Sequence, residues 1–465
     1  HRFDLAAPPL LRFLLVRGYT EHVLVVTAHH ILLDGWSLPL LITELCTLYA
    51  ADGDTAALPP APSYRDYLAW LARLDRDAAA DAWRTALADL PGPCLVAPGR
   101  SGTARPPRRT TRVLPAALGA RLRDAARAHR VTPNTVFQAA WAIALATRTG
   151  STDVVFGQPV SGRTPDVPGS EAMIGLFTNT LPVRVRLGVA ETAAALLRRI
   201  HTEQAALVDH HALGLSAVQR AAGTATLFDT LLVVENFLVD RSRHAADHAG
   251  MRVTGVTVRD ATHYPLVLVV LPEEDITLCV DYDPDQFSAA DAEAVLDLVV
   301  RVLTQLVDDS ERPLCAFDLL GDAERAALAA HNATRHPLAE HTLTALVDAA
   351  AHTHADRVAL IADGIRLTYR EVHDRAGRLA ALLAERGVAP GDVVAVALPR
   401  SADLVIALLG VLRAGAAYLP LDLDHPPARL AAMVERARAG TVVTCQGALP
   451  RLGDRLPGSV VVDDA

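Results

Sequence analysis

Two histidines stand side by side at His29 and His30, followed by Ile31-Leu32-Leu33 and then by Asp34 and Gly35. An imidazole titrates near neutrality, so a histidine here can take a proton from an attacking amine or hydroxyl, or hold such a nucleophile by a hydrogen bond. Successive strand residues face opposite ways, which lets one ring face a cleft while its neighbour packs inward, and one histidine then does the chemistry. Asp34 has two routes to a role: orienting the ring directly, or bracing the loop through a salt bridge to an arginine. The turn-like Asp34-Gly35 pair favours the brace, and the glycine permits a close backbone approach. The plain alternative is a pair of ordinary strand-end histidines beside a turn-forming aspartate, since four fixed letters make a short pattern. A metal site is not expected, because no third ligand cluster with zinc spacing accompanies the pair and His210-His211 does not supply one.

The flanking segments must position that loop. Arg12 to Arg17 and His22 to Ala28 are apolar, β-branched runs separated by Gly18-Tyr19-Thr20, which predicts a hairpin delivering the chain to His29. From Ser37 to Ala50 the period becomes helical, with Ser37 as the expected N-cap. His29 to Trp36 is therefore expected to be a short loop between a buried strand and a helix. Farther on, Tyr64 to Leu90 reads as one helix, Arg100 to Arg112 as a basic surface loop, and Thr132-Pro133-Asn134 as the opening of a helix to about Thr147. Val154 to Phe156, Leu181 to Leu187, Leu231 to Phe237, Leu266 to Leu271 and Ile276 to Tyr282 read as strands, with helices at Glu191 to Val208 and Ala289 to Val307. After a short polar helix at Ala323 to His331, strands and helices alternate as in the start of a doubly wound parallel sheet.

Composition narrows the chemistry. All 44 basic side chains are arginine. Without lysine these 465 residues hold no Schiff base, no P-loop clamp and no ammonium for an adenylating step. A net charge of −9 and a pI near 6.0 argue against a general nucleic-acid binder. Five scattered cysteines without CxxC pairing read as reduced cytosolic thiols. There is no signal-peptide pattern and no apolar run of membrane-spanning length, so a cytoplasmic protein is expected.

HHxxxDG followed by Trp36-Ser37 resembles the core motif of condensation domains from nonribosomal peptide synthetases, within the acyltransferase superfamily related to chloramphenicol acetyltransferase. Further matches follow in order: Ser63 to Trp70 resembles the YxDFAxW segment, Asp153 to Arg163 the next strand and loop, and Ile174 to Arg184 the GxFVNT motif. Leu227 to Phe237 and Thr262 to Leu266 also look family-like. The (H/N)QDYPFE motif has no close copy, and His210 to Leu215 stands in its place. Later, Leu367 to Val372 and Leu412 to Asp422 resemble the first two core motifs of an adenylation domain.

The resemblance implies an α/β chain: a chloramphenicol-acetyltransferase-like condensation fold whose N-terminal lobe is largely missing, then the start of an adenylate-forming α/β domain. The expected division is 1–316 for the condensation domain, 317–341 for a linker and 342–465 for an adenylation segment stopping before its phosphate loop. It implies amide-bond formation between a donor thioester and the amine of an acceptor thioester, both carried on 4′-phosphopantetheine arms of peptidyl carrier domains. His30 would act as base or positioning group, with His29, Asp34, Gly35 and Trp36 in support. Asn179 is a candidate for lining the cleft, a structural role being the more expected. No directly bound cofactor or metal is expected, and ATP with magnesium belongs to the remainder of the adenylation domain. The implied partners are upstream and downstream carrier domains and the rest of the adenylation domain, with no nucleic acid and no membrane. Alone, the chain is expected to be inactive. Epimerisation of a carrier-bound residue, or a degenerate, non-catalytic binding module, are the competing expectations.

Overall fold

The computed structural model describes residues 3–98, 105–235, 250–257, 262–272, 275–337, 340–362, 364–453 and 457–464. They form two compact units, His1–Asn332 and Ala333–Ala465.

The first unit opens with the antiparallel hairpin β1 (Leu11–Arg17) and β2 (His22–Ala28), in which Leu11 faces Ala28 and Arg17 faces His22. It forms a sheet of two strands. The strand before His29 is not buried as expected: Val23, Leu24 and Val25 are exposed, because among the described residues this two-stranded ribbon has no neighbouring layer to bury its apolar faces. Helix α1 (Ser37–Ala50) has the expected bounds, but Trp36 holds the N-cap position and Ser37 is the first helical residue. The single helix expected from Tyr64 to Leu90 is two, α2 (Tyr64–Leu71) and α3 (Arg76–Ala86). Asp75 breaks them apart: its carboxylate accepts from Ala78 N at 2.9 Å and starts a new helix.

The basic stretch Arg100 to Arg112 is not a loop throughout; its residues 100–104 lie outside the described residues. Its latter half is a strand, β3 (Arg108–Val113), paired antiparallel with β8 below. The arginines suit a strand here because acids wait opposite them: Arg109 makes a two-pronged bond to Asp281 at 2.6 and 2.7 Å, and Arg112 reaches Glu293 and Asp297.

Then come α4 (Ala116–Ala128), α5 (Pro133–Thr149), β4 (Asp153–Val160), β5 (Asn179–Arg186), α6 (Ala193–Ala205), α7 (Leu215–Ala221), β6 (Thr230–Val234), β7 (Leu266–Pro272), β8 (Ile276–Tyr282), α8 (Ala289–Asp308) and α9 (Asp322–His331). The expected strand Leu231 to Phe237 leaves the described residues after Glu235, while α6 is shorter than Glu191 to Val208 at both ends. Six strands make one mixed sheet in the order β3-β8-β7-β6-β4-β5. Helix α5 packs against the sheet beside α4, α6 and α8 and is buried all round from Val136 to Leu145, apolar except for Gln138, as befits a central core helix.

The second unit contains α10 (Leu343–Thr353), the hairpin β9 (Val358–Ala362) and β10 (Ile365–Thr368), α11 (Tyr369–Glu385), β11 (Val393–Ala397), α12 (Ala402–Arg413), β12 (Ala417–Pro420), α13 (Pro427–Ala437), β13 (Thr441–Thr444) and β14 (Ser459–Val461). Its main sheet has the order β12-β11-β13-β14, every pair parallel. Near-continuous apolar strands such as Val393 to Ala397 belong in such a sheet, which is covered on both faces. Among the described residues no helix is long and apolar enough to cross a membrane.

Candidate active site

The loop between β2 and α1 is pinned at its start by backbone. His29 N donates to Leu10 O at 2.9 Å, continuing the hairpin ladder, and Leu32 N turns back to His29 O at 3.0 Å. The two imidazoles make different contacts. His29 Nδ1 accepts from Ile31 N at 3.1 Å, and the ring stands edge-on to Phe3 with centroids 6.3 Å apart. His30 is exposed and places Nδ1 3.2 Å from Leu33 O. A carbonyl oxygen only accepts, so in that bond Nδ1 carries the hydrogen and the lone pair of the neutral ring sits on Nε2.

Asp34 is 3% exposed, and its carboxylate is taken up by groups from several segments. Oδ1 accepts from Ser37 N at 2.9 Å, Ser37 Oγ at 2.7 Å and Arg163 Nη2 at 3.2 Å. Oδ2 accepts from Phe177 N at 3.1 Å and Thr178 Oγ1 at 3.5 Å. The salt bridge to an arginine is present, with Arg163 as the arginine. Gly35 is half-buried in the turn into α1. Trp36 directs its indole N–H to Glu171 O at 2.9 Å, tying the loop to the 170–173 segment.

Arg163 is a motif residue that the sequence did not identify as the arginine facing Asp34. It ends the strand-and-loop segment 153–163, and its guanidinium spans the site: Nη1 donates to Met173 O at 3.0 Å and to Ser170 O, while Nη2 serves Asp34 and Ser37 Oγ. The guanidinium carbon lies 4.0 Å from the Phe177 ring centroid and 5.8 Å from that of Trp36. Burial pushes its pKa down and the Asp34 charge pulls it back up. Tyr64 bonds Leu176 O, and Tyr64 and Tyr67 pack on Phe177 with centroids 5.1 and 4.4 Å away. Burial first, then Tyr64 and Asp34, push the Tyr67 phenol up to about 12, so it is neutral at physiological pH. The four motifs in the first unit thus converge on one polar knot: the histidine loop, the Tyr64 segment, Arg163 and the Gly175 to Thr178 run.

Asn179 points elsewhere. Its amide donates to His211 O at 2.8 Å and Leu213 O at 2.9 Å, while Trp83 Nε1 donates to His210 O at 3.1 Å. The segment standing where a family motif has no copy is thereby clamped to the residue next to Thr178. In the second unit the two motifs serve local structure: Thr368 and Glu371 cap α11 reciprocally, and Arg413 bonds His373 O at 2.8 Å. Among the described residues no group of three or more His, Cys, Asp or Glu side chains is placed to hold a metal ion.

The family model described as a condensation domain matches residues 1–329, and that of an AMP-binding enzyme matches residues 347–464. A component of the linear gramicidin synthase of Brevibacillus parabrevis is 34% identical over 99% of this chain and 9% of its own length. Vanchrobactin synthetase VabF of Vibrio anguillarum is 34% identical over 96% of this chain and 16% of its own length. This chain therefore spans a small part of these curated relatives. A nonribosomal peptide synthetase solved with α-methyl-L-serine-AMP bound is 26% identical, with a TM-score of 0.72 over 100% of this chain and 53% of that one. The first condensation domain of the CDA synthetase shares the fold at 23% identity, with a TM-score of 0.56 over 67% of this chain and 70% of its own.

Proposed function

The chain belongs to the condensation-domain family of nonribosomal peptide synthetases and continues into an AMP-binding segment, and on that premise we propose that its first unit forms an amide bond between two carrier-bound thioesters. The acceptor amine attacks the donor thioester carbonyl. A C–N bond forms, the tetrahedral intermediate expels the thiolate as the C–S bond breaks, and the amine's proton ends on the sulfur. A thiolate is a good leaving group, so the demand falls on the nucleophile, which must attack as a free amine.

His30 answers that demand, as general base or as the group that orients the amine. The observation that carries the reading is the Nδ1 contact with Leu33 O, which leaves the basic lone pair on Nε2. His29, with Nδ1 engaged by Ile31 N, supports the loop, as do Asp34, Gly35 and Trp36. The two bonds from Asn179 to the 211–213 backbone support a structural role for it. The substrates arrive on 4′-phosphopantetheine arms of upstream and downstream carrier domains. Amino-acid activation belongs to a complete adenylation domain, whose lysine is not among these residues.

The test uses the intact module with a donor thioester deuterated at Cα and a loaded acceptor. Amide product with deuterium retained is expected. Deuterium washout without amide would make the chain an epimerase, and neither product would make it a binding module.

A further inference from the structure

We propose that Ser37 is a positioning residue for His30, acting through Gly175 and the Leu33–Asp34 peptide; this rests on His30 being the reacting group. Ser37 Oγ is fully buried at the first position of α1. A hydroxyl offers one hydrogen and two lone pairs, and this one has a use for each. Its single hydrogen is shared between Asp34 Oδ1 at 2.7 Å and Gly175 O at 2.8 Å, and its oxygen accepts from Gly175 N at 3.1 Å and Arg163 Nη2 at 3.0 Å. Ser37 therefore grips both polar groups of Gly175.

Gly175 in turn holds the peptide unit that reaches His30. Asp34 N donates to Gly175 O at 3.2 Å, and the carbonyl of that same peptide unit, Leu33 O, holds His30 Nδ1 at 3.2 Å. A peptide unit is rigid and planar, so fixing its N–H fixes the direction of its carbonyl. Aligned hydrogen bonds polarise one another, so the contact at Gly175 O strengthens the one at Nδ1. Without the hydroxyl, Gly175 loses its anchor, the peptide can rock, and the imidazole loses its set tautomer and direction. A helix cap would not do this: Ser37 spends its side chain backward, on the histidine loop and on a residue 138 positions away.

The test is steady-state condensation by the intact module carrying Ser37→Ala or Ser37→Cys, with rates normalised to folded, active molecules. Misplacing a reacting group by a fraction of an ångström costs on the order of tenfold to a hundredfold in rate. We expect kcat of Ser37→Ala to fall by about that factor with KM for both carrier substrates within about twofold, and Ser37→Cys, of similar volume but with a weakly bonding thiol, to lie between. A wild-type kcat per folded molecule, or a loss confined to KM, overturns the inference. If the alanine variant does not fold, the cysteine variant decides by the same criterion. His30→Ala runs alongside: if it condenses normally the reading of the site fails, whereas an inactive His30→Ala beside a fully active Ser37→Ala removes only the role of Ser37.

Discussion

Arg163 Nη2 lies 3.2 Å from Asp34 Oδ1, and the two side chains, 129 residues apart in sequence, are 6% and 4% exposed. This pair joins the histidine loop to the loop that follows β4. Its energetic weight lies in the cost of breaking it, because removing one partner leaves the other charge buried and uncompensated.

Asp34→Ala and Arg163→Ala should therefore each destabilise the first unit by roughly 3–5 kcal/mol. Denaturant titration of the single variants, and of Asp34→Ala combined with Arg163→Met, checks this. The double variant should recover part of the loss. A soluble Asp34→Ala variant with an unchanged unfolding midpoint and no condensation would instead give Asp34 a direct part in the chemistry.

His30→Ala should abolish amide formation while carrier loading continues at the wild-type rate. His29→Ala should retain measurable turnover, because its Nδ1 supports the loop through the Ile31 N–H. Product formation by His30→Ala at near wild-type rate would sink the assignment.

Asn179→Ala removes both amide bonds to the 211–213 backbone and leaves two carbonyls unsatisfied, an expected cost of roughly 1–3 kcal/mol. Hydrogen exchange should show the 208–214 segment opening more readily, with the Asp34 cluster unchanged. Equal acceleration in both places would mean that Asn179 supports the whole knot.

His211 carries a pH prediction. Burial first, then the neighbouring His210, lower its pKa below the usual 6.5, while Asp209 opposes them weakly. The unfolded chain then binds the proton more readily than the folded one. Stability is complete above about pH 6.5 and is lost as the pH falls from there toward the folded-state pKa. Unfolding midpoints between pH 7.5 and 5.5 should fall less steeply for His211→Gln than for wild type, and parallel slopes would refute it.

Much of this was legible locally. The apolar period marked α1 from Ser37 to Ala50 to the residue, and the hairpin ahead of it, because helix and strand spacing depend only on near neighbours. The HHxxxDG run pointed to imidazole chemistry, and the absence of lysine excluded an adenylating residue from these positions. Local reading failed where a residue's partner was distant. Ser37 looked like a helix cap, since serine before an apolar helical run has that meaning alone. Arg108 to Arg112 looked like a loop because the acids that make it a strand, Asp281, Glu293 and Asp297, come far later.

The proposed chemistry rests on residue types and spacing: an imidazole at His30, an aspartate four positions on and a glycine after it. Whether Asp34 turned toward a ring or an arginine was decided only by the fold. Buried charge must be paired, and the pairing group had to arrive from wherever the sheet brought it. That was Arg163 at the end of the segment following β4, with Gly175 and Phe177 closing the knot from the run into β5.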